Sequence, residues 1–356
     1  MTAASGPTVS PGTGWLSRPL TRFVLRRFAA MILLLLGITL VTFVLTALVP
    51  GNPAAAALGP VQSKNPVAVR EWDAKFGFNR PLPVHYAIYV GQLLHGDLGI
   101  SQTTGNPVSS ELAKAIPATV ELGLGAIAIA LTVGTALGVL AAMRRGRFVD
   151  QVLRVVSLAG ISVPQFVLAF LALYFFFFRL GWLPGGGQLS ATVSPPPTIT
   201  GIYTLDALLS GQWSTFFDAI DHLVLPTLVL AIYTIGYVAR YTRTAVLEVI
   251  THDYVRAAYA KGLPSRTIVL RYILRAALPS MIQVFGLAFA AVLTGAVLIE
   301  TMFSWAGVGE YAYQAAVSLN LPAISGVTLF IAFVYIVVNF IVDLLHTVID
   351  PRVRIQ

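Results

Sequence analysis

The chain contains no cysteine among its 356 residues, which removes disulfides, zinc–thiolate sites and a cysteine nucleophile at once. Charge is nearly as scarce. Asp, Glu, Lys and Arg make up 11% of the residues, against about 25% in an average soluble domain, while 56% are hydrophobic. So little polar surface cannot cover such a chain in water, and the solvent that suits it is a bilayer. Lysine occurs only at positions 64, 75, 114 and 261, never in a G-x-x-x-x-G-K-[ST] loop, so the chain has no P-loop with which to bind ATP itself. H-E-x-x-H is missing and the Ser, His and Asp residues are scattered, which argues against an intramembrane protease. No catalytic residue and no metal ligand is expected. The net charge of +8 would suggest nucleic acid in a soluble protein. Here its distribution matters more, and no nucleic-acid partner is expected.

What is present is six hydrophobic runs, at 29–49, 118–143, 155–178, 223–239, 280–301 and 322–347. A helix needs about 20 residues to cross a hydrocarbon core of about 30 Å, and five of the six runs reach that length. The fourth is short and is expected to run on through Arg240-Tyr241-Thr242, its Arg reaching the interface. The fold class expected is an all-α membrane protein with six transmembrane helices. Its parts are a tail over 1–28, the first span at 29–49, an outer segment over 50–117, a core over 118–347 and a tail over 348–356.

An even number of spans puts both termini on one side. Segments 1–28, 144–154, 240–275 and 348–356 would share that side, and they hold 17 of the 23 Lys and Arg residues. The positive-inside rule therefore assigns both termini and the 240–275 loop to the cytoplasm of a cytoplasmic (inner) membrane. The Gly/Pro/Ser-rich residues 1–17 read as a disordered tail and not as a signal peptide, since the apolar run from Met31 is too long.

On the opposite side, Trp72, Phe76, Phe78, Tyr86, Tyr89 and Leu93-Leu94 recur at roughly helical spacing, which predicts short amphipathic helices on the outer leaflet. In the second outer segment, 180–221, Pro195-Pro196-Pro197 forbids regular structure. Trp213, Phe216 and Phe217 beyond it suit an interfacial helix. These pieces either form a docking surface or cap the bundle.

Glu121, Glu300 and Asp343 fall within or at the ends of spans, where a carboxylate needs a partner or a polar cavity. Glu300, leading through Phe303 and Trp305 to Gly307 and Gly309, is a candidate for lining a pathway or gate; pairing with an outer-loop donor is the alternative. Asp343 is expected to cap or to pair with a basic neighbour. Ala130, Gly134 and Gly138 stand one turn apart, a spacing that lets two helices approach closely. Pro164 should kink the third span where Ser162 or water can compensate, and is a further pathway or gate candidate.

The segment DYVRAAYAKGLPSRTIVLRYILRAALP, residues 253–279, lies within a polar loop over 248–279. Its first half has an apolar face of Tyr254, Val255, Ala258 and Tyr259, and Ala257 with Ala258 leaves room for another surface. Gly262 can end that helix and Pro264 prevents its continuation. Ser265 is then an N-cap for a second helix, which Leu278-Pro279 should break where the fifth span begins. A force on the Gly262-Leu263-Pro264 turn would reach that span. An ordinary basic loop that only fixes topology is the alternative.

This loop resembles the EAA-type motif of importer permeases of the ATP-binding-cassette class. More closely, the chain resembles the dipeptide/oligopeptide/nickel permease family, and within it the first of two permease subunits. The likeness rests on Arg26-Arg27, Val49-Pro50-Gly51-Asn52-Pro53, Asn79-Arg80-Pro81-Leu82-Pro83, His95-Gly96-Asp97-Leu98-Gly99, Gly181-Trp182-Leu183-Pro184, Asp253-Tyr254-Val255-Arg256, Ala260-Lys261-Gly262-Leu263 and Asp350-Pro351-Arg352, in that order. Arg256 stands where the general motif has an acid, as in the peptide branch, and Asn52 where the family often has Asp. The resemblance implies a type I importer permease fold and no enzymatic activity or bound cofactor in this chain. It also implies a second homologous permease, two cytoplasmic ATPases carrying ATP and Mg, and an extracytoplasmic substrate-binding protein. ATPase coupling would fall to Tyr254, Arg256, Ala257, Ala258 and Gly262. Peptides are the cargo so implied, with nickel, heme, sugar or antimicrobial peptides as alternatives. An ion-coupled secondary transporter acting alone is the reading from another class; it predicts inverted repeats and paired midplane acids, and no clear repeat is visible.

A bulky residue at Gly262, or Asp at Ala258, is expected to leave the protein in the membrane and uncouple transport from ATP hydrolysis. Normal peptide uptake by both variants would count against the lever.

Overall fold

A computed structural model describes residues 18–48, 64–76 and 80–349 of the chain. Helices dominate because a bilayer offers no hydrogen bonds and a helix satisfies its own backbone. In chain order they are α1 (Arg18–Leu48), α2 (Pro66–Phe76), α3 (Leu82–Leu94), α4 (Val108–Met143), α5 (Phe148–Ser162), α6 (Gln165–Arg179), α7 (Tyr203–Leu209), α8 (Trp213–Ile250), α9 (Asp253–Ala260), α10 (Ser265–Met302), α11 (Val308–Val317) and α12 (Leu321–Ile349). Two stretches, Leu173–Arg179 in α6 and Ile268–Ile273 in α10, wind as π-helix. The expected tail over 1–17, the motif at 49–53, Asn79 and the closing Asp350-Pro351-Arg352 lie outside the described residues, as do the side chains of Trp72, Phe76 and Phe78.

Five helices among the described residues are long and apolar enough to cross a membrane, and α5 with α6 makes a sixth crossing if the pair is one span. The two halves of that pair meet at 99°, so Pro164 breaks the third span where a kink was expected. Val163 and Pro164 both adopt extended backbone, which ends α5 and starts α6 afresh.

Helix α8 is the axis of the bundle. Of its apolar stretch 61% is buried, against 17% for each of α1 and α12 at the margin. Its 38 residues extend about 57 Å, well past both faces of the hydrocarbon. Trp213, Phe216 and Phe217 therefore form its first turns and not a separate interfacial helix, and Arg240 lies within it, exposed. Glycines let α8 pack close: a methyl group at Gly138 of α4 would sit 2.6 Å from the Ala239 carbonyl, and one at Gly236 would sit 2.7 Å from that of Ser157 in α5. The small-residue row of α4 is thus a seam against α8.

Pro279 lies inside α10 and does not break it. It forfeits one backbone hydrogen bond, and buried Ala277, Met281 and Ile282 on either side hold the helix through that loss. Helix α4 likewise starts ten residues before the apolar run and carries Pro117 within it. Helix α3 lies against α1, with Phe43 ringed by His85 at 4.8 Å and Tyr86 at 5.4 Å between centroids. Arg27 of α1 pairs with Asp343 of α12 at 2.5 Å, the basic neighbour expected for that acid.

The outer loop before α7 closes on the buried carboxylate of Asp206, which accepts the backbone N–H groups of Ile199, Thr200 and Gly201 and the Thr200 hydroxyl. Burial pushes this carboxyl up, but the four donors outweigh it and hold it below the usual carboxylate range. A carboxyl depressed on folding stabilises above its unfolded value near about 3.9 and loses that contribution as pH falls through the folded value. Protection of the 199–201 amides, measured against the intrinsic exchange rate at each pH, should therefore be high at neutral pH and fall in acid, and Asp206→Asn should show the low protection, and so the fast exchange, already at pH 7. Slow exchange in that variant would count against the loop's dependence on Asp206.

Candidate functional site

Helix α9 has two faces of different character. Val255 and Ala258, three residues apart and so on one strip of helix, are 1% and 3% exposed. They enter a cluster with Val246 and Val249 of α8, Ile268, Ile273, Ala277 and Met281 of α10, and Ala142 at the end of α4. At 100° per residue Tyr254 and Tyr259 fall about 70° to either side of that strip, and Arg256 and Ala257 on the far side. Both tyrosines and both far-side residues are exposed. The apolar face expected from the sequence is thereby corrected. Its small members are spent on the bundle, and the tyrosines flank the surface that remains open. Ala258, expected at the coupling surface, is part of the bolt that fastens α9.

The end of α9 is fixed by its backbone. Leu263 N–H bonds the Ala258 carbonyl at 3.3 Å and Gly262 N–H bonds that of Tyr259 at 2.9 Å, the paired bonds of a Schellman cap. Gly262 has φ +73°, where a side chain would strain the backbone, although open space surrounds it. Leu263 packs into the same cluster, and Pro264, already extended, takes the N-cap position of α10. Ser265 therefore falls inside the first turn and makes no capping bond, contrary to the expected N-cap. In an α-helix Ile268 and Ile273 would point about 140° apart. The π winding between them lets both be fully buried beneath α9. Arg256 pairs loosely with Asp253 at 3.6 Å, both in solvent.

A buried ion pair not expected from the sequence braces this end of the molecule. Asp150 of α5, 1% exposed, receives the Arg243 guanidinium of α8 at 2.7 and 3.0 Å and the Gly146 N–H at 3.0 Å. An acid three residues after the Arg144-Arg145-Gly146-Arg147 run was the available signal.

The gate candidates resolve differently. Glu300 is fully buried; it accepts the Thr119 hydroxyl at 2.7 Å and the N–H groups of Gly309 at 2.6 Å and Glu310 at 3.3 Å. Thr119 in turn accepts Val308 N–H at 2.8 Å, so two side chains satisfy the first turn of α11. Trp305, 1% exposed, donates its indole N–H to the Ala118 carbonyl, and Phe303, equally buried, offers its carbonyl to Gly187 N–H. Glu300, Phe303 and Trp305, each buried, thus staple the adjoining ends of α4, α10 and α11 together. Glu121 does similar work, accepting the backbone and hydroxyl of Thr204 at the start of α7. Pro164 borders open space, a groove it shares with α8 and α10.

This bundle has known counterparts. Residues 134–355 match the family model described as binding-protein-dependent transport system inner membrane component, and residues 20–123 match that of its N-terminal region. The chain belongs to this family. It is 43% identical over 92% of its length to 96% of the probable D,D-dipeptide transport system permease protein DdpB of Escherichia coli (strain K12). It is 40% identical over 94% of its length to 99% of the di/tripeptide transport system permease protein DppB of Pseudomonas aeruginosa (strain UCBPP-PA14). The solved MetNI methionine ABC transporter in an inward-facing form shares the fold, with a TM-score of 0.50 at 16% identity over 67% of this chain and 96% of that one. The permease is thus a multi-pass membrane transport subunit with the type I importer fold, and the reading as a solitary ion-coupled transporter falls.

Neighbouring alanines separate the two faces of α9. Ala258→Asp buries a charge and should sharply lower the yield of monodisperse permease, whereas Ala257→Asp should leave melting within about 0.5 kcal/mol of wild type. Equal behaviour of the two in fluorescence-detected size exclusion would count against the division.

Proposed function

We propose that this permease is one of two membrane subunits of a peptide importer, and that a separate ATPase docks on the outer face of α9. The observation that carries this reading is the division of that helix. Its inner strip is bolted to α4, α8 and α10, while Tyr254, Arg256, Ala257 and Gly262 face outward, held among the described residues only by the weak Arg256–Asp253 pair and a Tyr254–His252 ring contact at 5.5 Å. A surface so built passes a push directly into three long helices. Positive-inside charge supports a cytoplasmic position for it, where ATP and Mg held by the ATPases would be at hand. Binding protein, second permease and two ATPases complete the assembly, and hydrolysis belongs to those partners. The cargo reading rests on relatives named for D,D-dipeptide, di/tripeptide and dipeptide transport.

Labelled dipeptide and tripeptide uptake should be lost on deleting this subunit and restored by the wild-type chain. Gly262→Trp or Ala257→Asp should restore membrane insertion without uptake, with ATPase activity no longer stimulated by loaded binding protein. Unchanged peptide uptake in the deletion strain, or restoration of nickel or heme uptake alone, would refute the cargo. Full uptake by both variants would refute the docking face.

A further inference from the structure

We propose that the break between α5 and α6 is a contact point for the peptide backbone of the cargo as it crosses the membrane. This rests on the peptide reading above. The break opens on a groove of about 660 Å³ between α8 and α10, lined by Ser162, Pro164, Gln165, Tyr233, Thr294 and Gly295 among others. Tyr233 stands near the middle of α8, so the groove lies deep within the bilayer.

At that depth an unpaired backbone group is costly, and irregular backbone persists only where it borders protein or a water-filled cavity. The carbonyls of Ile161, Ser162 and Val163 accept no backbone hydrogen bond, and the N–H groups of Gln165 and Phe166 donate none. Pro164 has no N–H to offer Gly160. The end of one helix thus presents acceptors, and the start of the next presents donors, at one edge of the groove. Side chains extend the pattern. The Gln165 amide, half-buried, makes no hydrogen bond and rests against Gly295, where an added methyl group would lie 2.5 Å from its oxygen. The hydroxyls of Ser162 and Thr294, both lining the groove, donate to Leu158 and Ala290 of their own helices, which leaves each oxygen with acceptor capacity.

No charged residue lines this groove. A metal ion or an acidic or basic side chain would find no counter-charge there, whereas an amide backbone, neutral and carrying one donor and one acceptor per residue, matches it term for term. Such a contact reads no side chain, and so serves cargo of varied sequence. The second permease is the other occupant of comparable size. An apolar helix face would leave these donors and acceptors unpaired, which favours the peptide.

The test uses the complete transporter in proteoliposomes with binding protein saturated by either a tripeptide or the same tripeptide N-methylated at its central amide. Wild type should carry the parent faster than the methylated analogue. Gln165→Leu, and independently Thr294→Val, should slow the parent, Gln165→Leu by about tenfold, the scale of a lost hydrogen bond. The preference over the analogue should narrow, while assembly and ATPase stimulation persist. Wild-type rates with preference intact in both variants would overturn the proposal. Loss of the second permease from both variants would also overturn it, assigning the groove to the subunit interface. A wild-type transporter that moves neither peptide would instead refute the cargo reading.

Discussion

Hydrocarbon supplies no hydrogen bonds, and the placement of the buried carboxylates described in this permease follows from that. Glu121 and Glu300 sit in spanning helices at positions where an unpaired carboxylate would be costly. Each is turned onto the free N–H groups at the start of another helix, α7 or α11, so that one contact relieves the carboxylate and the helix end together. Asp150 is met by a bidentate Arg243 and a backbone N–H. Satisfaction is incomplete: Glu121 Oε2, Thr227 Oγ1 and Thr242 Oγ1 are buried without a hydrogen-bond partner among the described residues, and at the break at Pro164 backbone donors and acceptors lie open to a groove. A groove at membrane depth with donors and acceptors open on one edge is a place where polar cargo can be met.

The same economy links the two ends of the molecule. Helix α9 is fastened to α8 and α10 through a cluster that includes both residues bounding the π turn. Helix α8 is in turn joined to α5 at Asp150–Arg243 and again where Gly236 lets it touch the Ser157 carbonyl. Helix α5 ends at Pro164. A displacement of α9 therefore meets close-packed side chains and a buried ion pair the whole way to the groove, with little void to absorb it. In the proposed importer this is the route by which work done outside the membrane would alter access within it.

Much of this was legible in the chain. Hydrophobic runs marked the spans because hydropathy reports burial in lipid directly, and Gly262 with Pro264 marked the hinge because few residues tolerate those backbone conformations. Less legible was which side of a short helix faces inward. Tyr254, Val255, Ala258 and Tyr259 form one apolar arc, and only the shape of the cluster beneath α9 selects the two small residues. Pro164 and Pro279 look alike in sequence, each a proline in an apolar run. One breaks its helix and the other does not, since packing on both sides of Pro279 compensates for a lost bond and an open groove beside Pro164 does not. Glu300 suggested a gate because an intramembrane acid announces polarity without naming its partner, and that partner, Thr119, is 181 residues away.

The sequence alone determined the solvent, the number of apolar runs, the lack of a P-loop motif and the turn at Gly262, because each follows from composition or from local backbone limits. Tertiary structure decided which carboxylates are staples, that Ala258 is a bolt and Ala257 a surface, and that Pro164 opens a groove. Those outcomes depend on which distant groups meet, and hydrogen bonds and close packing between helices far apart in the chain are invisible to any local pattern.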